Sequence, residues 1–130
     1  MKLVLVDDNA DFVISMRMLL EMRGYHVKAY LTAQEFLQDV GNLAEDDLLI
    51  TDYYLPDLNG IEVVRRARAR RPGLWAILLT GSREDSVARA ARAIRDCRVE
   101  YKPLPYEALE QGIQEILARR ASRSAGSPDR

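Results

Sequence analysis

An α/β fold, built as a doubly wound parallel sheet, is what the sequence predicts, and two observations carry the prediction. Five short apolar-rich runs alternate along the chain with five helical patterns, and such alternation closes into a parallel sheet through right-handed crossovers. The runs Leu3-Val4-Leu5-Val6 and Leu48-Leu49-Ile50 are continuously apolar, as central strands covered on both faces are.

The elements follow in order. After Leu3–Val6 come Asp7-Asp8-Asn9, then Phe12, Met16, Leu19 and Arg23 at helical spacing, with Gly24 as the stop. Tyr25 to Tyr30 makes a second strand. Thr32-x-x-Glu35 is a capping box opening a short helix through Phe36, Leu37 and Val40. The polar stretch Gly41 to Asp46 leads into the third strand, which ends on Asp52. Pro56 and Asn59-Gly60 break the chain before Ile61, Val64 and Ala67 mark the next helix. Arg71-Pro72-Gly73 ends it.

Trp75 to Leu79 is the fourth strand, closed by Thr80-Gly81, and Ser82-x-x-Asp85 caps an Ala- and Arg-rich helix reaching about Asp96. Arg98 to Tyr101 is the fifth strand, followed by Lys102-Pro103. Pro105 suits the first turn of a last helix, whose stripe is Tyr106, Leu109, Ile113, Ile116 and Leu117. Residues 1–120 read as one domain. Residues 121–130, rich in Ser, Gly, Pro and Arg, read as a flexible tail or linker.

Composition narrows the classes. The 48% hydrophobic and 30% charged content of this 130-residue chain fits a globular domain with a sizeable core. A formal net charge of -1 gives no bulk pull toward nucleic acid or membrane. Cys97 is the single cysteine, so no intramolecular disulfide framework exists, which suits a reducing compartment. Asp7 and Asp8 interrupt the N-terminal apolar run, unlike a signal peptide, and no run approaches the ~20 residues that span a bilayer. The expectation is a cytoplasmic protein.

In such a sheet the carboxyl ends of the strands gather at one edge. That edge receives Asp7, Asp8, Asp52, Thr80 and Lys102. Clustered carboxylates repel by roughly 4 kcal/mol per pair at 4 Å and an effective dielectric of ~20. A hard divalent cation with oxygen ligands relieves this, and Mg²⁺ keeping several waters fits best. One hydroxyl and one ammonium suit the oxygens of a phosphoryl group, which makes Asp52 the natural nucleophile for an aspartyl phosphate.

The motifs Val6-Asp7-Asp8-Asn9, Asp52-x-x-Leu55-Pro56-x-x-Asn59-Gly60, Leu79-Thr80-Gly81 and Lys102-Pro103 resemble those of the receiver domain of two-component response regulators. The resemblance runs from Lys2 to about Arg120. It implies a (βα)5 flavodoxin-like sheet of strand order 2-1-3-4-5. It also implies a phosphoacceptor switch rather than an enzyme acting on a separate substrate, catalysing its own Mg²⁺-dependent phosphorylation and dephosphorylation. The phosphoryl group would come from a sensor histidine kinase or a phosphotransfer protein. By the same resemblance Asp8, Asp52 and the backbone carbonyl of Tyr54 ligate Mg²⁺ (or Mn²⁺), with Asp7 nearby or through water. Thr80 binds a phosphoryl oxygen, Lys102 pairs with the phosphoryl group, and the Lys102-Pro103 peptide is cis. Output passes to a further domain, a partner protein or a phosphorylation-dependent dimer, without direct nucleic-acid or membrane binding by these residues.

One position departs from the family. Most receivers carry Tyr or Phe three residues before the lysine, where this chain has Val99, with Tyr101 on the same strand face; by the resemblance the switch positions are Thr80 and Val99, with Tyr101 the candidate to supply the missing ring. The hydrolysis gate falls on Tyr54, whose bulk obstructs an in-line water, and by resemblance on the small Ser82.

Rival readings are weaker. A haloacid-dehalogenase-like phosphatase needs Asp-x-Asp after the first strand, and a nucleotide module needs a Gly- or Ser/Thr-rich loop there; this chain has Asp7-Asp8-Asn9. A degenerate receiver acting only as an interaction module is the alternative, against which the full acidic set stands. His26 reads as an ordinary strand residue. The helix arginines 65, 66, 70, 89, 92 and 95 read as solvated faces, those on the fourth helix also suiting an acidic partner.

Overall fold

The computed structural model describes residues 1–81 and 85–125. In chain order these form β1 (Lys2–Val6), α1 (Ala10–Met22), β2 (His26–Tyr30), α2 (Ala33–Gln38), β3 (Leu48–Asp52), α3 (Gly60–Arg70), β4 (Trp75–Thr80), α4 (Asp85–Arg92), β5 (Cys97–Tyr101) and α5 (Tyr106–Ala125). The strands pair in parallel in the order β2-β1-β3-β4-β5, the doubly wound, flavodoxin-like arrangement.

Strand alternation divides the core into two layers. Leu3, Leu5, Leu48, Ile50, Ile77 and Leu79 pack under α1 and α5 with Val13, Met16, Leu20, Leu109, Ile113 and Ile116. Val4, Val6, Leu49 and Ala76 face the other way, onto Phe36, Val63, Val64 and Ala67 of α2 and α3. Each fully buried leucine or isoleucine contributes about 1.5–3 kcal/mol. This two-sided burial is why the central strands have no polar alternation.

Helix ends follow local chemistry. Asn9 caps α1 by accepting from the Phe12 N–H at 3.1 Å, which leaves Asp7 and Asp8 free of that duty. Gly24, at φ +94°, closes α1 in a Schellman turn, with Gly24 N–H donating to the Glu21 carbonyl and Tyr25 N–H to that of Leu20. Thr32 caps α2 through the Glu35 N–H at 3.1 Å. Asn59 caps α3 through the Glu62 N–H at 2.9 Å.

Three expectations need correction. The buried stripe of α1 is Val13, Met16 and Leu20, while Leu19 is 39% exposed. The period is the predicted one, rotated by one residue so that Val13 and Leu20 meet β1 and β3. Helix α4 ends at Arg92 and not near Asp96: Ile94 N–H donates to the Ala91 carbonyl at 3.1 Å in a tighter i→i−3 turn, and Asp96 beyond it adopts a left-handed φ of 55°. Helix α5 continues through Ala125, past the expected boundary at 120, held by contacts of Arg123 described below. The cap expected at Ser82 lies outside the described residues. No helix among the described residues is long and apolar enough to cross a membrane.

Candidate phosphoacceptor site

Asp52 is the last residue of β3, Thr80 the last of β4, and Lys102 the first after β5, while Asp7 and Asp8 follow β1 directly. The parallel order therefore brings all five predicted residues to one edge. Carboxylate oxygens of Asp7, Asp8 and Asp52 lie within 4.8 Å of one another. Asp7 and Thr80 are fully buried, Asp52 is 6% exposed, and Asp8 faces solvent.

Asp7 is the best-satisfied acid. Its Oδ1 accepts from the Asn9 N–H at 2.9 Å, and its Oδ2 accepts from Lys102 Nζ at 2.7 Å. The same ammonium lies 3.4 Å from Asp52 Oδ2. Burial and then the Asp7 charge push the Asp52 carboxyl up to about 6, with Lys102 opposing and Asp8 adding a little. Burial works to lower the pKa of Lys102, but its hydrogen bond to Asp7 and the charges of Asp7 and Asp52 outweigh it and hold the ammonium above its usual range. At neutral pH the site is thus carboxylates bridged by one cation. An all-oxygen donor set of this kind fits a hard divalent ion.

The surrounding backbone is tightly drawn. Lys102 N–H donates to the Thr80 carbonyl at 2.9 Å, and Tyr53 N–H to the Leu79 carbonyl at 2.7 Å. The Lys102-Pro103 peptide is cis. Gly60 opens α3 directly against β3: a Cβ there would lie 2.5 Å from the Asp52 carbonyl oxygen. Tyr54 is bridged to Asn59 across the intervening loop, is 52% exposed, and meets the Tyr53 ring edge-on at 4.7 Å.

The other predicted positions are on β5. Tyr101 pairs in register with Thr80, and Val99 with Leu78; both are half-buried. Arg92 Nη2 reaches the Tyr101 hydroxyl at 3.4 Å. Ser82, the second gate position, lies outside the described residues.

Two contributors escaped the sequence reading. Lys102 Nζ stands 4.6 Å from the centroid of the Phe12 ring, a cation–π contact. Phe12 read only as part of a helix stripe, and nothing in its neighbourhood signals a lysine ninety residues away. Asp57, in the loop after Asp52, accepts from the Ala33 and Gln34 N–H groups at 3.3 and 2.9 Å, tying that loop to the start of α2. An acid near a helix N-terminus is a cap signal, but only the fold shows whose helix it serves.

Comparison with known proteins agrees with this geometry. Residues 3–120 match the family model for the response regulator receiver domain. The chain is 31% identical over 119 residues to the response regulator receiver protein CpdR of Brucella abortus (strain 2308), covering 89% of this chain and 96% of CpdR. It is 27% identical over 123 residues to the transcriptional regulatory protein FixJ of Rhizobium meliloti (strain 1021), covering 90% of this chain but 59% of FixJ. A CheY-like response regulator receiver domain protein from Methanospirillum hungatei JF-1 superposes with a TM-score of 0.81 at 28% identity, over 94% of this chain and 97% of that one. The chain belongs to the response regulator receiver domain family.

Proposed function

We propose that this chain is a phosphoryl-accepting switch with Asp52 as the acceptor. The observation that carries the reading is the meeting of Asp52 with Asp7, Asp8 and Lys102 at one edge of the sheet. In the transfer, an Asp52 carboxylate oxygen bonds to phosphorus as the bond from phosphorus to the donor histidine nitrogen breaks, its electron pair staying on the imidazole. Lys102 turns from Asp7 to a phosphoryl oxygen, and the Thr80 hydroxyl donates to another.

Asp8, Asp52 and the Tyr54 carbonyl would hold Mg²⁺, or Mn²⁺ in its place, with Asp7 beside it or through water. When bound, that ion neutralises the acids and the phosphoryl oxygens. Thr80, Val99 and Tyr101 form the switch, and Tyr54 and Ser82 the hydrolysis gate.

The donor is a sensor histidine kinase or a phosphotransfer protein, which places the reaction in the cytoplasm. Residues 1–120 carry the receiver chemistry, α5 runs on through Ala125, and the phosphoryl signal passes onward from this unit. FixJ is a transcriptional regulatory protein, and a further output domain is one destination; a partner protein or a phosphorylation-dependent dimer is another. Direct nucleic-acid binding is no part of the reading, as the near-neutral charge supplies no basic footprint.

The test is incubation with acetyl phosphate and Mg²⁺, read by intact-protein mass. One phosphoryl group is expected on the wild type and none on Asp52→Asn. Equal labelling of both proteins contradicts the assignment.

A further inference from the structure

We infer that Arg123 is a clamp that regulates the site from the far end of the sheet; its functional half rests on the phosphoacceptor reading above. Arg123 Nη1 and Nη2 lie 3.0 Å from Asp96 Oδ2 and Oδ1 respectively. The same guanidinium sits over the Trp75 ring, 4.8 Å from its centroid. A planar guanidinium forks a carboxylate and stacks on an aromatic face at once, which an ammonium cannot do.

The two anchors are not arbitrary. Trp75 is the first residue of β4, and Asp96 immediately precedes Cys97, the first of β5. Those strands carry Thr80 and Lys102 at their opposite ends. One side chain on the last turns of α5 therefore grips the amino ends of both strands that deliver the site's hydroxyl and its ammonium.

Asp96 is itself a fixed point. Its carbonyl accepts from the Ala76 N–H and from Arg68 Nη2, both at 3.1 Å, and its φ of 55° holds the turn before β5. Its side chain is 16% exposed while that of Arg123 is 59% exposed, so the carboxylate is the sheltered half of the fork and water still screens the guanidinium. The bland alternative is a solvated arginine on a helix end. Neither the two-point fork nor the stacked ring follows from that.

Lys102 has to leave Asp7 to meet a phosphoryl group, and it is attached to β5. A clamp on the start of β5 and β4 resists that displacement, and by linkage the displacement loosens the clamp. Releasing Arg123 should therefore ease the rearrangement and quicken phosphorylation of Asp52.

The experiment uses the full chain, with amide exchange and the emission of Trp75, the only tryptophan. Wild type is compared with Arg123→Ala, Arg123→Lys, Asp96→Asn and Arg17→Ala. Asparagine tolerates the left-handed backbone. Arg17, an exposed arginine on α1 paired with Glu21, serves as the control for charge loss. Arg123→Ala and Asp96→Asn are expected to speed exchange at residues 119–125, and at the Lys102 N–H, about twofold, the ordinary worth of one part-exposed ion pair. Trp75 emission shifts in Arg123→Ala, Arg123→Lys restores part of the protection, and Arg17→Ala changes neither Trp75 emission nor exchange at 119–125. Unchanged exchange at 119–125 in Arg123→Ala overturns the clamp. Faster exchange there with an unaltered Lys102 amide overturns its reach to the site. With acetyl phosphate, Arg123→Ala is expected to label about twofold faster, matching the same pair. Equal or slower labelling overturns the regulatory role. A wild type that takes no label at all contradicts the phosphoacceptor reading instead, and the exchange arms still decide the clamp.

Discussion

Lys102 Nζ is 2.7 Å from Asp7 Oδ2 and 3.4 Å from Asp52 Oδ2, so the ammonium is bonded to the neighbour of the proposed acceptor more closely than to the acceptor. Asp52 keeps an oxygen available while its charge is partly offset. Lys102→Ala leaves Asp7, fully buried, without its cation. A loss of about 3 kcal/mol is expected in metal-free buffer, the lower end for breaking a buried pair. Adding Mg²⁺ should recover part of it, because the ion replaces the missing positive charge. Thermal melts with and without Mg²⁺ read both effects, and a variant as stable as wild type without metal contradicts the pairing.

The raised Asp52 carboxyl gives stability a sign with pH. Between its ordinary value and about 6 the folded chain binds more protons than the unfolded chain, so stability falls as pH rises through that window. Asp52→Asn removes this slope. Below the ordinary carboxylate value the variant and wild type should be similar. Above pH 6 the variant should be more stable by about 2 kcal/mol in metal-free buffer, somewhat under the shift's full worth because Lys102 loses a partner. Denaturant titrations across pH measure it, and a constant difference at all pH values contradicts the assignment.

Phe12 holds the ammonium without taking one of its hydrogens. Its ring face attracts the cation at 4.6 Å, leaving donors for oxygen. Phe12→Leu keeps apolar bulk on α1 but removes that face. Phosphorylation by acetyl phosphate should slow about three- to tenfold, as a cation–π contact of roughly 1 kcal/mol implies. Phe12→Tyr should restore it. A leucine variant labelled at the wild-type rate reduces Phe12 to packing.

Tyr54 stands edge-on to Tyr53 and half-exposed two residues after Asp52, and in the gate proposed above its ring obstructs a water in line with the acyl phosphate. Asparagine there is small and offers an amide to orient that water. Tyr54→Asn should lose the phosphoryl group faster, on the order of tenfold, which is about 1.4 kcal/mol off the barrier. Unchanged or slower loss, measured after removing the donor, contradicts shielding.

How much of this was legible depended on how local each signal is. The strands and the edge residues were, because continuous apolar runs ending in Asp7, Asp52, Thr80 and Lys102 carry both strand and terminus in adjacent positions. Helical period was readable in α1 but its phase was not: Phe12/Leu19 and Val13/Leu20 satisfy the same spacing, and only the sheet beneath chooses Val13 and Leu20. Residues 121–125 have a tail's composition, and become helix because Arg123 finds Asp96 and Trp75, partners at least 27 residues away. Asp57 capping α2 and Phe12 beneath Lys102 are long-range in the same way.

The most direct test of Asp52 as acceptor is chemical. An acyl phosphate is reduced by borohydride to an alcohol with release of phosphate, which converts a phosphorylated aspartate to homoserine. After treatment with acetyl phosphate and Mg²⁺, peptide mapping should find homoserine at position 52 and at neither Asp7 nor Asp8. Homoserine at Asp7 or Asp8, or none in a protein whose mass shows a phosphoryl group, would contradict the account.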